Sequence, residues 1–134
     1  MYPETGFTKG QVIDYYKNIP PYILPHIEGR PITMKRFPDG VGGAHFYEKQ
    51  APSHTPPWIK TFRVPTGHKN PVINYVLIYD PATLVWSANL ANLEIHPFPA
   101  KAPRIDQPSM VIFDLDPGDG ADILNSSEVA FLLK

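Results

Sequence analysis

The sequence predicts an α+β domain or a mixed α/β sheet, with helices both before and between short strands. Apolar residues recur at helical spacing at Val12, Tyr15, Tyr16 and Ile19, and again from Leu84 to Ala91. Short alternating or continuous apolar runs, at 32–37, 72–78 and 110–115, read as strands. The 17 prolines in 134 residues are about 13% of the chain where ~5% is ordinary. They are spread between the apolar runs, so they act as rigid turns and do not signal disorder. The length suits one domain with a real core.

Met1 to Gly6 is a short irregular lead. Thr8 is placed to cap a helix from about Lys9 to Asn18, and Pro20-Pro21 ends it. Proline suits a first helical turn, so a second helix is expected through Ile23, Leu24 and Ile27, with Gly29 as its stop. A strand follows over 32–37, with Ile32, Met34 and Arg36 on one face and Thr33, Lys35 and Phe37 on the other. Pro38-Asp39-Gly40 is a turn signal, Gly42-Gly43 prolongs the loop, and Ala44 to Lys49 reads as the returning strand. The glycines at 40–43 lack both the Walker lysine–hydroxyl pair and GxGxxG spacing, so they make a hairpin loop and not a phosphate cradle.

A proline-rich loop occupies 52–57. Strands are expected at 60–64 and 72–78, with a polar loop from Thr66 to Pro71 between them. Asp80-Pro81 is an N-cap followed by proline, opening a helix to about Leu93. A short strand is expected at 94–98, then a loop with three more prolines, and a final helix from about Ile123 to Lys134.

The stretch with the most chemistry is Met110-Val111-Ile112-Phe113-Asp114-Leu115-Asp116-Pro117-Gly118. A short apolar run closed by Pro-Gly reads as a strand covered on both faces. Period two then brings Asp114 and Asp116 out side by side where the strand ends. Neighbouring carboxylates resist ionising together unless a cation sits between them. Oxygen ligands suit a hard cation such as Mg²⁺ or Mn²⁺, which keeps its other positions for water and phosphate. An isolated Asp-x-Asp more often caps a helix or sits solvated in a turn. A calcium loop is excluded: counting from Asp114, Gly118 stands fifth, Asp119 sixth and Asn125 twelfth, which is not the EF-hand pattern.

The 12 Lys and Arg nearly balance the 13 Asp and Glu, so any basic surface is local. The absence of cysteine excludes disulfides and thiolate metal sites. No apolar stretch approaches the roughly 18 residues of a membrane span, and no signal-peptide pattern opens the chain. A soluble intracellular protein is expected.

Several motifs stand in one order: Thr8-Lys9, Gly29-Arg30-Pro31, Lys35-Arg36-Phe37-Pro38-Asp39-Gly40, Phe46-Tyr47-Glu48-Lys49, Leu93-Glu94-Ile95-His96-Pro97 and Phe113-Asp114-Leu115-Asp116-Pro117-Gly118. This set resembles, over essentially the whole chain, the polymerase domain of DNA ligase D, an end-joining primase-polymerase of the archaeo-eukaryotic primase superfamily. The resemblance implies an α+β domain with a mixed or antiparallel sheet and flanking helices. It implies template-directed nucleotide addition at 5′-phosphorylated DNA breaks or gaps, with nucleoside triphosphates as substrates and two metals, Mn²⁺ or Mg²⁺. By the same resemblance Asp114 and Asp116 bind the metals and His96 lies beside the triphosphate. Lys9 and Lys35 hold the 5′-phosphate of the downstream strand, and Phe46 or Tyr47 stacks on bases. Period two lets one of that aromatic pair face the groove.

The chain departs from the family pattern at both ends. A strand ahead of Tyr2-Pro3, with a phosphate-contacting lysine, is missing. So are a Ser-Gly-x-Lys-Gly-x-His segment, a third metal-binding aspartate and basic residues for the triphosphate, all beyond the position of Lys134. Asp119 and Asp122 are expected to serve the turn and the helix cap instead. The chain is therefore expected to match the N-terminal half of the domain, truncated, with a second polypeptide or a ligase as partner, and to act in the cytoplasm at the nucleoid. The competing expectation is a non-catalytic module that recognises 5′-phosphorylated ends; a weaker one is a metal-dependent phosphoesterase.

Overall fold

A computed structural model describes residues 6–67 and 72–133. The expected lead over residues 1–5 and the segment 68–71 of the expected polar loop lie outside the described residues.

Thr8 starts the first helix, α1 (Lys9–Asn18), through a reciprocal cap. Its hydroxyl accepts from the Gln11 amide at 3.3 Å, and the Gln11 side chain accepts from the Thr8 amide at 2.8 Å. The diproline opens α2 (Pro20–Ile27), which ends where Gly29 takes φ +70°. A Cβ there would meet the Tyr79 hydroxyl at 3.2 Å, so both conformation and space favour glycine. The strands are β1 (Pro31–Arg36), β2 (Phe46–Glu48), β3 (Thr61–Pro65), β4 (Val72–Leu77) and β5 (Asn92–Pro97). α3 (Pro81–Asn89) lies between β4 and β5, and α4 (Ile123–Leu132) closes the described chain.

β1 is the centre of a five-stranded sheet whose described pairings are all antiparallel. β5 lies along one side of it; the other side is shared by β4, at Pro31 and Ile32, and β2, from Met34 to Arg36. β3 pairs with β4 at the edge. The fold is the expected α+β class with an antiparallel sheet.

The alternation expected of β1 holds. Ile32 and Met34 are buried in a core with Val12 and Tyr16 of α1, Ile27 of α2, Val76 of β4, and Leu84 and Ala88 of α3. Each large side chain of this kind contributes about 1.5–3 kcal/mol on full burial. α1, α2 and α3 therefore cover one face of the sheet. On the other face Tyr75 packs edge-on against Phe98 at 5.0 Å, while the end carrying Lys35, Tyr47 and His96 stays open.

Two expectations fail. The helix after Asp80 ends at Asn89, not near Leu93, because Ala91 adopts φ 60° and turns the chain into β5. The buried strand expected at 110–116 is irregular and exposed, with Val111, Ile112 and Phe113 at 74, 52 and 61% exposure. No described strand pairs with it and nothing described covers it, so the apolar run has the composition of a buried strand without the partners. The last helix forms as expected, capped by Asp122, yet none of its residues is buried. No helix among the described residues is long and apolar enough to cross a membrane.

Candidate functional site

Antiparallel registry decides which side chains meet. Lys35 stands opposite Tyr47 of β2 and Glu94 of β5, and Thr33 stands opposite His96. Directly opposed residues share a face, so Lys35, Tyr47, Glu94 and His96 come together on the open side of the sheet. Lys35 Nζ donates to Glu94 Oε1 at 2.7 Å, and Glu94 Oε2 lies 3.3 Å from His96 Nε2. The Lys35 ammonium sits 5.3 Å from the Phe37 ring and 5.6 Å from the Tyr47 ring, and the Tyr47 and His96 rings meet edge-on at 5.5 Å. The hydrogen bond to Glu94 raises the Lys35 pKa above its ordinary value against a smaller desolvation effect. The same bond, with help from His96, holds the Glu94 carboxyl below the ordinary range.

Arg36, one residue on, faces the other way. It donates through Nη1 to Glu48 at 2.8 Å and through Nε to the Leu90 carbonyl at 2.8 Å, and its guanidinium lies 5.2 Å from the Phe46 ring. Lys9 joins it there. Lys9, Arg36, Pro38, Asn89, Leu90 and Ala91 line a cavity of about 250 Å³, where the start of α1 meets the end of α3. Two cations converging on one small cavity suit a phosphate.

The structure thus divides the residues expected to act together. Lys9 and Lys35 do not share a cavity: Lys35 lies on the open face of β1, and Lys9 lines the cavity beside Arg36 on the helix-covered face. The aromatic pair is divided in the same way, Tyr47 with Lys35 and His96, Phe46 with Arg36. The sequence alone assigns no role to Arg36 or Glu94. The i, i+2 spacing of Glu94 and His96 was the available signal for Glu94. Arg36 carried no comparable mark, since its neighbours come from β2, the start of α1 and the end of α3.

Asp114 and Asp116 are exposed on the irregular segment, which lines a cavity of about 320 Å³ with Asn125, Ser126 and Val129 of α4. Asp122 accepts from the Leu124 and Asn125 amides at 2.8 and 3.2 Å, and Asp119 lies in the turn before it, the cap and turn roles expected of them. The two exposed carboxylates have the oxygen chemistry of a hard-cation site. Among the described residues, however, no group of three or more His, Cys, Asp or Glu side chains could hold a metal ion. The donor set is right in kind and short in number.

Residues 8–134 match the family described as LigD, primase-polymerase domain. The chain is 40% identical over 132 residues to the multifunctional non-homologous end joining protein LigD of Mycolicibacterium smegmatis, covering 97% of this chain and 17% of that protein. It is 37% identical over 138 residues to the multifunctional non-homologous end joining DNA repair protein LigD of Mycobacterium tuberculosis H37Rv, covering 97% and 18%. Among solved structures it is similar to the polymerase domain of Mycobacterium tuberculosis ligase D in complex with DNA, with a TM-score of 0.78 and 37% identity. That match covers 97% of this chain and 47% of the solved one. The chain therefore spans under a fifth of these two curated relatives and just under half of the solved polymerase domain.

Proposed function

The chain belongs to the LigD primase-polymerase domain family, and on that premise we propose that it contributes to template-dependent nucleotide addition at 5′-phosphorylated breaks or gaps during non-homologous end joining. The observation that carries the reading is the open cluster of Lys35, Tyr47, Glu94 and His96 around β1. It offers a cation, an imidazole and an aromatic ring on one face, which are the groups that a triphosphate and a base require.

Lys9, beside Arg36, holds the downstream 5′-phosphate, and Lys35 with His96 faces the phosphates of the incoming nucleotide. The placement of the two lysines on opposite faces of β1 supports giving them different phosphates. Tyr47, and not Phe46, stacks on a base. Asp114 and Asp116 are this chain's share of the metal ligands; Mn²⁺ or Mg²⁺ bound there supplies charge neutralisation at the phosphates. In the reaction the primer 3′-hydroxyl gives up its proton to solvent, its oxygen bonds to the nucleotide's α-phosphorus, and the α–β phosphoanhydride bond breaks to release pyrophosphate.

The apolar residues exposed at 111–113, together with Ile123, Leu124, Phe131 and Leu132 of α4, support a further part of a polymerase domain covering this end. The protein would act in the cytoplasm, at the nucleoid. A second reading, a non-catalytic module that recognises phosphorylated ends, is favoured by the lack, among the described residues, of a group of three or more side chains that could hold a metal ion.

Nucleotide addition on 5′-phosphorylated gapped DNA, with Mn²⁺ and ribonucleotides, separates the two. Addition that disappears in Asp116→Ala supports the enzyme. Binding that prefers the phosphorylated gap, is lost in Lys9→Ala and is accompanied by no addition supports the module. Equal binding to phosphorylated and unphosphorylated gaps, with no addition, refutes both.

A further inference from the structure

Glu94 lies two residues before His96 on β5 and so shares its face, and across the strand pair it stands opposite Lys35. Its two oxygens divide the work: Oε1 accepts from Lys35 Nζ at 2.7 Å, and Oε2 lies 3.3 Å from His96 Nε2. Pairing with Lys35 lowers the carboxyl pKa and so favours its ionised form. An ionised carboxylate only accepts hydrogen bonds, so Nε2 carries the hydrogen and Nδ1 is left without this partner. One side chain thereby fixes two others that come from different strands, and the Lys35 ammonium it holds also lies against the Tyr47 ring.

We infer that Glu94 is a positioning residue, holding the Lys35 ammonium and the His96 imidazole where one triphosphate meets both. The inference rests on the nucleotide reading of this face. Charge and position make opposite demands here. By charge alone a carboxylate beside a phosphate subsite repels the ligand, so removing it should tighten binding. As a positioning group its removal should weaken binding, because Lys35 and His96 lose their shared anchor.

Two substitutions separate these effects. Glu94→Gln keeps the shape and removes the charge. Glu94→Asp keeps the charge and shortens the side chain by one methylene, too short to reach both partners. The test is calorimetric titration of the chain with MnATP, with the Lys35 ammonium followed by ¹H–¹⁵N NMR, where an ammonium signal is protected from solvent exchange while it is paired. Positioning predicts about a tenfold or greater loss of affinity in both variants, the scale found when a ligand-orienting partner is removed, together with loss of the Lys35 signal. Tighter binding in Glu94→Gln with unchanged binding in Glu94→Asp would overturn the inference in favour of charge alone. Unchanged binding in both would also overturn it, leaving the ion pair as part of the fold only. Failure of MnATP to bind the unaltered chain would overturn the nucleotide reading and this inference together.

Discussion

Arg30 is 5% exposed and meets three acceptors from three parts of the chain. It donates through Nε to the His26 carbonyl at 3.0 Å, through Nη1 to the Phe98 carbonyl at 3.2 Å, and through Nη2 to Ser109 Oγ at 3.0 Å. The guanidinium thus ties the end of α2 to the segment that leads from β5 towards the aspartates. Hydrogen bonds to a charged group contribute about 1.5–3 kcal/mol each in mutational series, and they do not add fully. Two of the acceptors are backbone carbonyls fixed by their own segments, so truncation leaves them without this donor. Arg30→Ala should therefore cost about 3–5 kcal/mol of unfolding free energy, a large share of the ~5–15 kcal/mol of an ordinary domain. Arg30→Lys keeps the charge but replaces a planar fork with a point donor, and should still lose about 2 kcal/mol. Urea unfolding followed by circular dichroism measures both, with the m-value checking that the denatured state is unchanged. A loss below about 1 kcal/mol for Arg30→Ala, or a Lys variant as stable as the unaltered chain, would refute the reasoning.

The Lys35–Glu94 pair makes a prediction about pH. A lowered carboxyl pKa gives stability that is present above the ordinary value of 4.5 and lost as pH falls through the folded value. A raised ammonium pKa gives stability that is present below 10.5 and lost as pH rises through the folded value. The difference in melting temperature between the unaltered chain and Glu94→Gln should persist between those limits and shrink beyond either; a difference that grows towards pH 3 would contradict the pairing. The division of the aromatic pair predicts that Tyr47→Ala weakens binding to gapped DNA by about 1–3 kcal/mol, the contribution of one stacked base. Phe46→Ala should leave that affinity within about 0.5 kcal/mol, as for a residue away from the contact. Fluorescence anisotropy reads both, and the reverse pattern would exchange their roles.

The elements that were legible in advance are those whose signals are local. The ends of α1 follow from Thr8 and the diproline, the stop after α2 from Gly29, and the start of α3 from Asp80-Pro81. Each is a property of a few adjacent residues, a cap or a restricted φ, that operates in any surroundings. The alternation of β1 was equally plain, because Ile32 and Met34 differ so clearly from Lys35. The end of α3 was missed because Ala91 carries no sign of a left-handed turn; β5 imposes it by pairing back along β1. The site was half legible. Lys35, His96 and the Phe46–Tyr47 pair stood out through family resemblance, but which of them meet depends on the register of β2 and β5. The separation of Lys9 from Lys35, and the joining of Lys9 to Arg36, required α1 to be packed against α3.

The segment at 110–116 marks the boundary between the two kinds of information. Its composition states that Val111, Ile112 and Phe113 favour burial, and this is local information, as are the family, the helices and the faces of β1. Burial also needs other surfaces to pack against, and strand pairing needs a neighbouring backbone with free donors and acceptors. Both are supplied by residues distant in sequence, so only the tertiary structure decided that this run stays irregular and exposed while the similar run of β4 is built into the sheet. The same reason holds for the site. Lys35, Tyr47, Glu94 and His96 come from three strands, and only the pairing of those strands brings their side chains within a few ångströms of one another.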